Sequence, residues 1–172
     1  MKFVLRVAVL ALVGCDVPLL VGELDAGTVG VPRLLYLDQV AGPNLGGEND
    51  AGTYLSLFGI GFGDSAGLGT RTRVLLGGAE VARYVSLGPA LGRPDVQQLT
   101  VQPGDLGGAA AGASLPVVVT LDAQPSVDAV RFTLQPGRIW FIDGQRGDDA
   151  SAVAGDITRP FRTLQTLSLI HI

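Results

Sequence analysis

The chain has 172 residues, with 25 glycines, 10 prolines, 16% charged and 47% apolar residues and a net charge of −4. That is one ordinary domain with appendages, or two small ones, and too apolar for a charged disordered chain. The single cysteine, Cys15, excludes an internal disulfide framework and any Cys-based zinc or iron–sulfur centre. The single histidine, His171, leaves little room for a Ser-His-Asp triad or a multi-His metal site, and the acidic balance argues against a nucleic-acid partner.

Lys2 and Arg6 precede the apolar run 7–13, the pattern of a signal peptide. The run is far shorter than the ~20 residues a spanning helix needs. It ends Leu12-Val13-Gly14-Cys15, which resembles a bacterial lipobox. The resemblance implies a lipoprotein signal peptide over 1–15, acylation of the Cys15 thiol and cleavage just before it. Several acyl chains at about 0.8 kcal/mol per buried CH₂ would hold the protein on a membrane. The alternatives are an ordinary secretory signal with an unrelated cysteine, or a buried N-terminal strand. Loss of residues 1–14 removes two cations and no acid, which takes the net charge from −4 to −6 and leaves no lysine. The lipid would then attach the protein without polybasic help. Residues 16–31 mix Gly, Asp, Val and Leu around Pro18 without a period and read as a tether.

From Arg33 the signals are those of a β protein. Strands are expected at 34–37, 54–62, 72–76, 79–87, 96–101, 115–121 and 129–134. Turn-forming clusters lie between them, at 41–44, 46–50, 77–78, 88–94, 103–104 and 124–126. Within 54–62 apolar residues occupy both parities, so this strand is covered on both faces or bent at its glycines. Gly77-Gly78 between Val74/Leu76 and Val81 is a two-residue hairpin signal. The Gly59-Ile60-Gly61-Phe62-Gly63 run is followed by no helical pattern. It therefore reads as a bulged strand end rather than a phosphate loop. Residues 107–113 form a low-complexity loop, and no window of eleven residues carries a helical apolar stripe. Several short strands over about a hundred residues indicate an all-β sandwich.

The order of these pieces over 32–136 resembles an IPT/TIG domain, an immunoglobulin-like sandwich. The resemblance rests on Gly42-Pro43 with Gly46-Gly47, on Gly59-Ile60-Gly61-Phe62, on Val74-Leu75-Leu76-Gly77-Gly78, and on the closing Val130-Arg131-Phe132. The stretch around 86–94 departs from the shortest members. From Gly137 the character changes. Trp140-Phe141, Gly147-Asp148-Asp149, Gly155 and Pro160-Phe161-Arg162-Thr163-Leu164-Gln165 are similar to the opening of right-handed parallel β-helix proteins of the pectate-lyase kind. That implies an N-terminal cap strand and a short helix within 137–166. A solenoid needs about three repeats, which do not fit here. Residues 167–172 resemble translated adaptor sequence, so the natural protein is expected to continue, and His171 is not used as a ligand or base.

Asp143, Asp148, Asp149 and Asp156 supply hard oxygens in a Gly-rich loop and are the calcium candidates. They miss the EF-hand spacing, and the plainer reading is that they cap turns. Arg159 and Arg162 are expected to pair with Asp148 or Asp156. No catalytic, metal or cofactor-binding set emerges. The expected function is that of a non-catalytic, lipid-anchored bacterial envelope protein facing the periplasm or the exterior. Its Ig-like domain would bind, space or present. Its partners would be a membrane, through the lipid, and a polysaccharide or surface protein. The alternative is the N-terminal part of a β-helix polysaccharide lyase or glycoside hydrolase whose active site lies on later coils.

Overall fold

The computed structural model describes residues 30–127 and 130–170. Cys15, nearly all of the expected tether and the last two residues lie outside that range. One sheet contains β1 (Arg33–Leu37), β3 (Leu55–Ile60), β6 (Arg83–Ala90) and β7 (Arg93–Gln102), in the order β1-β3-β7-β6. The second contains β2 (Ala41–Gly42), β4 (Thr72–Leu76), β5 (Ala79–Glu80), β8 (Ser114–Leu121) and β10 (Arg131–Leu134), in the order β2-β10-β8-β4-β5. The short β9 (Gln124–Pro125) pairs with β8. The chain passes between the sheets at β1/β2, β2/β3, β3/β4, β5/β6 and β7/β8, and one core lies between them.

Strand alternation builds that core. Leu55 and Leu57 of β3 lie opposite Val101 and Leu99 of β7, and Val74 and Leu76 of β4 lie opposite Val119 and Val117 of β8. All eight are at most 1% exposed, and each such side chain contributes about 1.5–3 kcal/mol relative to exposure. In β1 the inward residues are Leu34 and Leu37, three apart. A register shift between Leu34 and Tyr36 makes this possible, because a bulge inserts one residue and restores the parity. The ambiguous strand 54–62 resolves by bending. Leu55, Leu57 and Gly59 face inward through β3, and Gly61, at φ 72°, then turns the chain so that Phe62 is also fully buried. Gln97, opposite Gly59, ties this bend together. Its Oε1 accepts from Phe62 N at 2.7 Å, and its Nε2 donates to Gly63 O at 2.7 Å.

The β4–β5 hairpin turns at Gly77-Gly78, both with positive φ, as expected. Three expectations need correction. Residues 88–94 are not a loop, since β6 runs to Ala90 and β7 begins at Arg93, which leaves a two-residue turn at Leu91-Gly92. The prolines that suggested a loop sit where no ladder bond is required. Pro89 is on the edge strand, and Pro94 lies beyond the end of β3 pairing. The expected strand 79–87 is divided after Glu80, where the chain crosses from one sheet to the other and Val81 is buried on the way. Finally, Ala41-Gly42 and Gln124-Pro125, read as turns, make short ladders with β10 and β8.

Beyond β10 the expected aromatic-rich strand is reduced to isolated bridges, Ile139 with Gly46 and Ile142 with Phe161. Phe161 is buried and meets Trp140 at a centroid distance of 5.6 Å. A short helix follows as α1 (Leu164–Ile170), but four of its seven residues lie beyond 166, in the stretch expected to be adaptor sequence. Thr163 stands at its start, with its Oγ1 accepting from Thr166 N at 3.3 Å.

Candidate functional site

The segment after β10 docks on one end of the sandwich, and the joint is built around the loop 46–54. Gly46 has φ 74°, and a Cβ there would lie 2.5 Å from both Ile139 N and Ile139 O. Only glycine lets the two backbones come this close. Ile139 N donates to Leu45 O at 3.0 Å, and Arg138 reaches Asp50 Oδ1 at 2.6 Å. Asn49 and Asp50 both sit in the left-handed region, at φ 57° and 55°. Asp50 also accepts from Gly46 N at 2.6 Å, which fixes the loop. Arg138, and then the Gly46 amide, hold the Asp50 carboxyl below its ordinary pKa.

Two clefts open beside this loop. One, of about 400 Å³, lies between Asn49, Asp50, Arg138 and the 154–158 turn. The other, of about 250 Å³, is mainly apolar and is lined by Thr53, Tyr54, Ile139, Phe141, Gly47 and Glu48. At its rim the Tyr54 hydroxyl donates to Glu48, and Arg83 reaches the same carboxylate oxygen at 2.9 Å. Glu48 is held below its ordinary pKa by the Tyr54 hydroxyl first and Arg83 second, and the Tyr54 hydroxyl is raised in turn by Glu48.

The four calcium candidates do not gather into one site: Asp143, Asp148 and Asp156 each close a local turn, and Asp149 bridges to the start of α1. Asp143 accepts from the Gln145 and Arg146 amides and from the Arg146 side chain, at 2.6–3.0 Å. The Arg146 amide, followed by its guanidinium, holds Asp143 down at about 2. Asp156 is likewise held at about 2, by the Thr158 hydroxyl and then Arg159. Asp148 caps the following turn through Ser151 Oγ at 2.7 Å and Ala150 N at 3.1 Å. Asp149 reaches across to Arg162 N, Thr163 N and Thr163 Oγ1 at 2.8–3.0 Å, which ties the loop to the start of α1. Desolvation is the largest single influence on Asp149 and raises it, but the Thr163 and Arg162 donations together bring it below its ordinary value. Of the expected ion pairs, Arg159–Asp156 forms at 2.9 Å. Among the described residues no three His, Cys, Asp or Glu side chains gather as a metal site. No helix of the described residues is long and apolar enough to cross a membrane. Cys15 lies outside the described residues.

The outward face of the β1-β3-β7-β6 sheet was not singled out by the sequence. Tyr54, Ser56, Phe58 and Ile60 share its parity along β3, and the register sets Tyr36 on one side of Phe58 and Gln98 on the other. Tyr36 and Phe58 stack at 4.7 Å with an interplanar angle of 10°. Ser56 and Thr100 hydroxyls meet at 3.4 Å, and Gln98 Nε2 donates to Ser56 Oγ at 3.3 Å. The alternation within 54–60 was visible in the sequence, but the strands flanking it were not.

Comparison with protein-family models, with curated proteins and with solved structures returned no match for this chain.

Proposed function

We propose that this chain is a non-catalytic, lipid-anchored protein of the bacterial cell envelope, whose immunoglobulin-like sandwich of the IPT/TIG type binds, spaces or presents. The observation that carries the reading is the strand order. One sheet in the order β1-β3-β7-β6 and the other in the order β10-β8-β4, flanked by β2 and β5, correspond to the ABED and CFG sheets of immunoglobulin-like sandwiches. Such sandwiches host many functions, so the role has to come from sites rather than fold. The joint supports spacing and presentation: a backbone bridge and an ion pair fasten the 137–163 segment to the sandwich end instead of leaving a free linker. Attachment through Cys15 comes from the lipobox resemblance alone. Metabolic labelling with palmitate tests it: the wild-type chain becomes labelled and Cys15→Ala does not, and labelling that survives the substitution removes the anchor.

A second reading, the opening of a β-helix polysaccharide lyase or hydrolase, draws support from the order of Gly-Asp loop, Asp149 clamp and short helix α1. On either reading the 172-residue chain cleaves no polysaccharide. Turnover by the purified chain would place chemistry on residues to which no role has been assigned.

A further inference from the structure

We propose that the outward face of the β1-β3-β7-β6 sheet is a docking platform for a linear, neutral polysaccharide. This deepens the binding role proposed above and rests on it. The face combines two features. It presents Tyr54, the residue just before β3, and then Phe58 within β3, about 14 Å apart at the rise of an extended strand. Tyr36, which is 52% exposed, stacks face to face on Phe58. Between and beside these aromatics stand two half-buried, uncharged groups, Thr100 and Gln98, aligned by contacts of 3.3–3.5 Å with each other and with the buried Ser56 hydroxyl. Sugar rings offer the matching surfaces: C–H faces that settle on aromatic rings, and equatorial hydroxyls that exchange hydrogen bonds with amides and hydroxyls. At the Tyr54 end the platform continues into the apolar cleft of about 250 Å³ shared with Phe141 and Ile139.

Charge excludes the other occupants. Glu48 is neutralised by Arg83, and Arg93 is held by Asp95 at 2.7 Å. Arg33, opposite Ile60, stands at the far end of the face. An anionic polymer or a nucleic acid would need a run of cations along the track, and an anionic membrane would need a basic cluster. A second copy of the chain would be expected to bury an apolar centre, whereas the centre of this face is Ser56, Thr100 and Gln98.

The test is isothermal titration of the full 172-residue chain in detergent with cellohexaose, laminarin and xylan, with polygalacturonate as the anionic comparison. At least one neutral glycan binds, and both Tyr36→Ala and Gln98→Ala weaken that binding by about tenfold or more while leaving the urea midpoint in place. Four results overturn the proposal: no binding to any neutral glycan, binding unchanged in both variants, tighter binding of polygalacturonate, or a concentration-dependent dimer that Tyr36→Ala disperses. Palmitate labelling is indifferent to Tyr36→Ala, so the anchor and the platform fail separately.

Discussion

Replacing Gly46 with alanine should release the 137–163 segment while leaving the sandwich folded. The new methyl carbon would stand 2.5 Å from the backbone nitrogen and oxygen of Ile139, atoms that cannot rotate away. The residue would also have to hold φ 74°, which costs a non-glycine residue about 1–2 kcal/mol. Against this the joint has modest resources. The Ile139 N–Leu45 O hydrogen bond contributes about 1 kcal/mol. The Arg138–Asp50 pair, with both side chains at least 40% exposed, adds at most about 1 kcal/mol after solvent screening. The backbone cost alone is of the same size as these two contacts, and the collision with Ile139 adds to it. The three atoms nearest the new methyl all belong to Arg138 and Ile139. Trp140, the only tryptophan in the chain, lies one residue from the bridge and reports on it. Gly46→Ala should red-shift Trp140 emission and speed hydrogen exchange at Ile139, with β8 and β7 amides unchanged. Gly144→Ala, where a Cβ meets open space, is the control. Unchanged emission and exchange would refute the reasoning, as would simultaneous loss of the whole sandwich.

Gly59→Ala should be far more damaging to the sandwich, because a Cβ there would collide with the Arg33 carbonyl and the buried Phe62 ring. Overpacking of this kind costs about 1–3 kcal/mol or more, measurable as a lowered urea midpoint. Gly88→Ala, on the edge strand with nothing within 4 Å, should leave the midpoint unchanged. Asp143 and Asp156, both held at about 2 against an ordinary 3.8, favour the folded loops as carboxylates. Their contribution is fully present above pH ~4 and is lost as pH falls through about 2. Carboxyl carbon NMR titrations with midpoints near 3.8 would contradict the turn contacts.

The sandwich was legible because its signals are local. The Gly77-Gly78 hairpin and the strand through Val117-Val118-Val119 each follow from a few adjacent residues, whereas 54–62 allowed either cover on both faces or a bend at its glycines. What was illegible depends on neighbours distant in sequence. Pro89 and Pro94 look like loop residues until the sheet order shows that their missing N–H groups face no partner. Ala41-Gly42 looks like a turn until β10, some ninety residues later, arrives beside it. The stack of Tyr36 on Phe58 depends on a bulge that shifts register by one residue, and a bulge leaves little trace in composition. The acids of 143–156 were recognisable as turn formers, but that Asp149 crosses to Thr163 required the fold.

The crossing of the first strand from one sheet to the other has a mechanical consequence. β2 runs parallel to β10, joined through Thr133 N to Val40 O at 2.8 Å and Gln135 N to Gly42 O at 2.9 Å. A pull applied between the two ends of the chain draws β2 toward its start and β10 toward its end, in opposite senses along one shared axis. The bonds between them are then sheared together rather than unzipped one after another. Force reaches this two-residue seam through β1 on one side and through the 137–163 segment on the other, and once loaded the seam gives way as a unit.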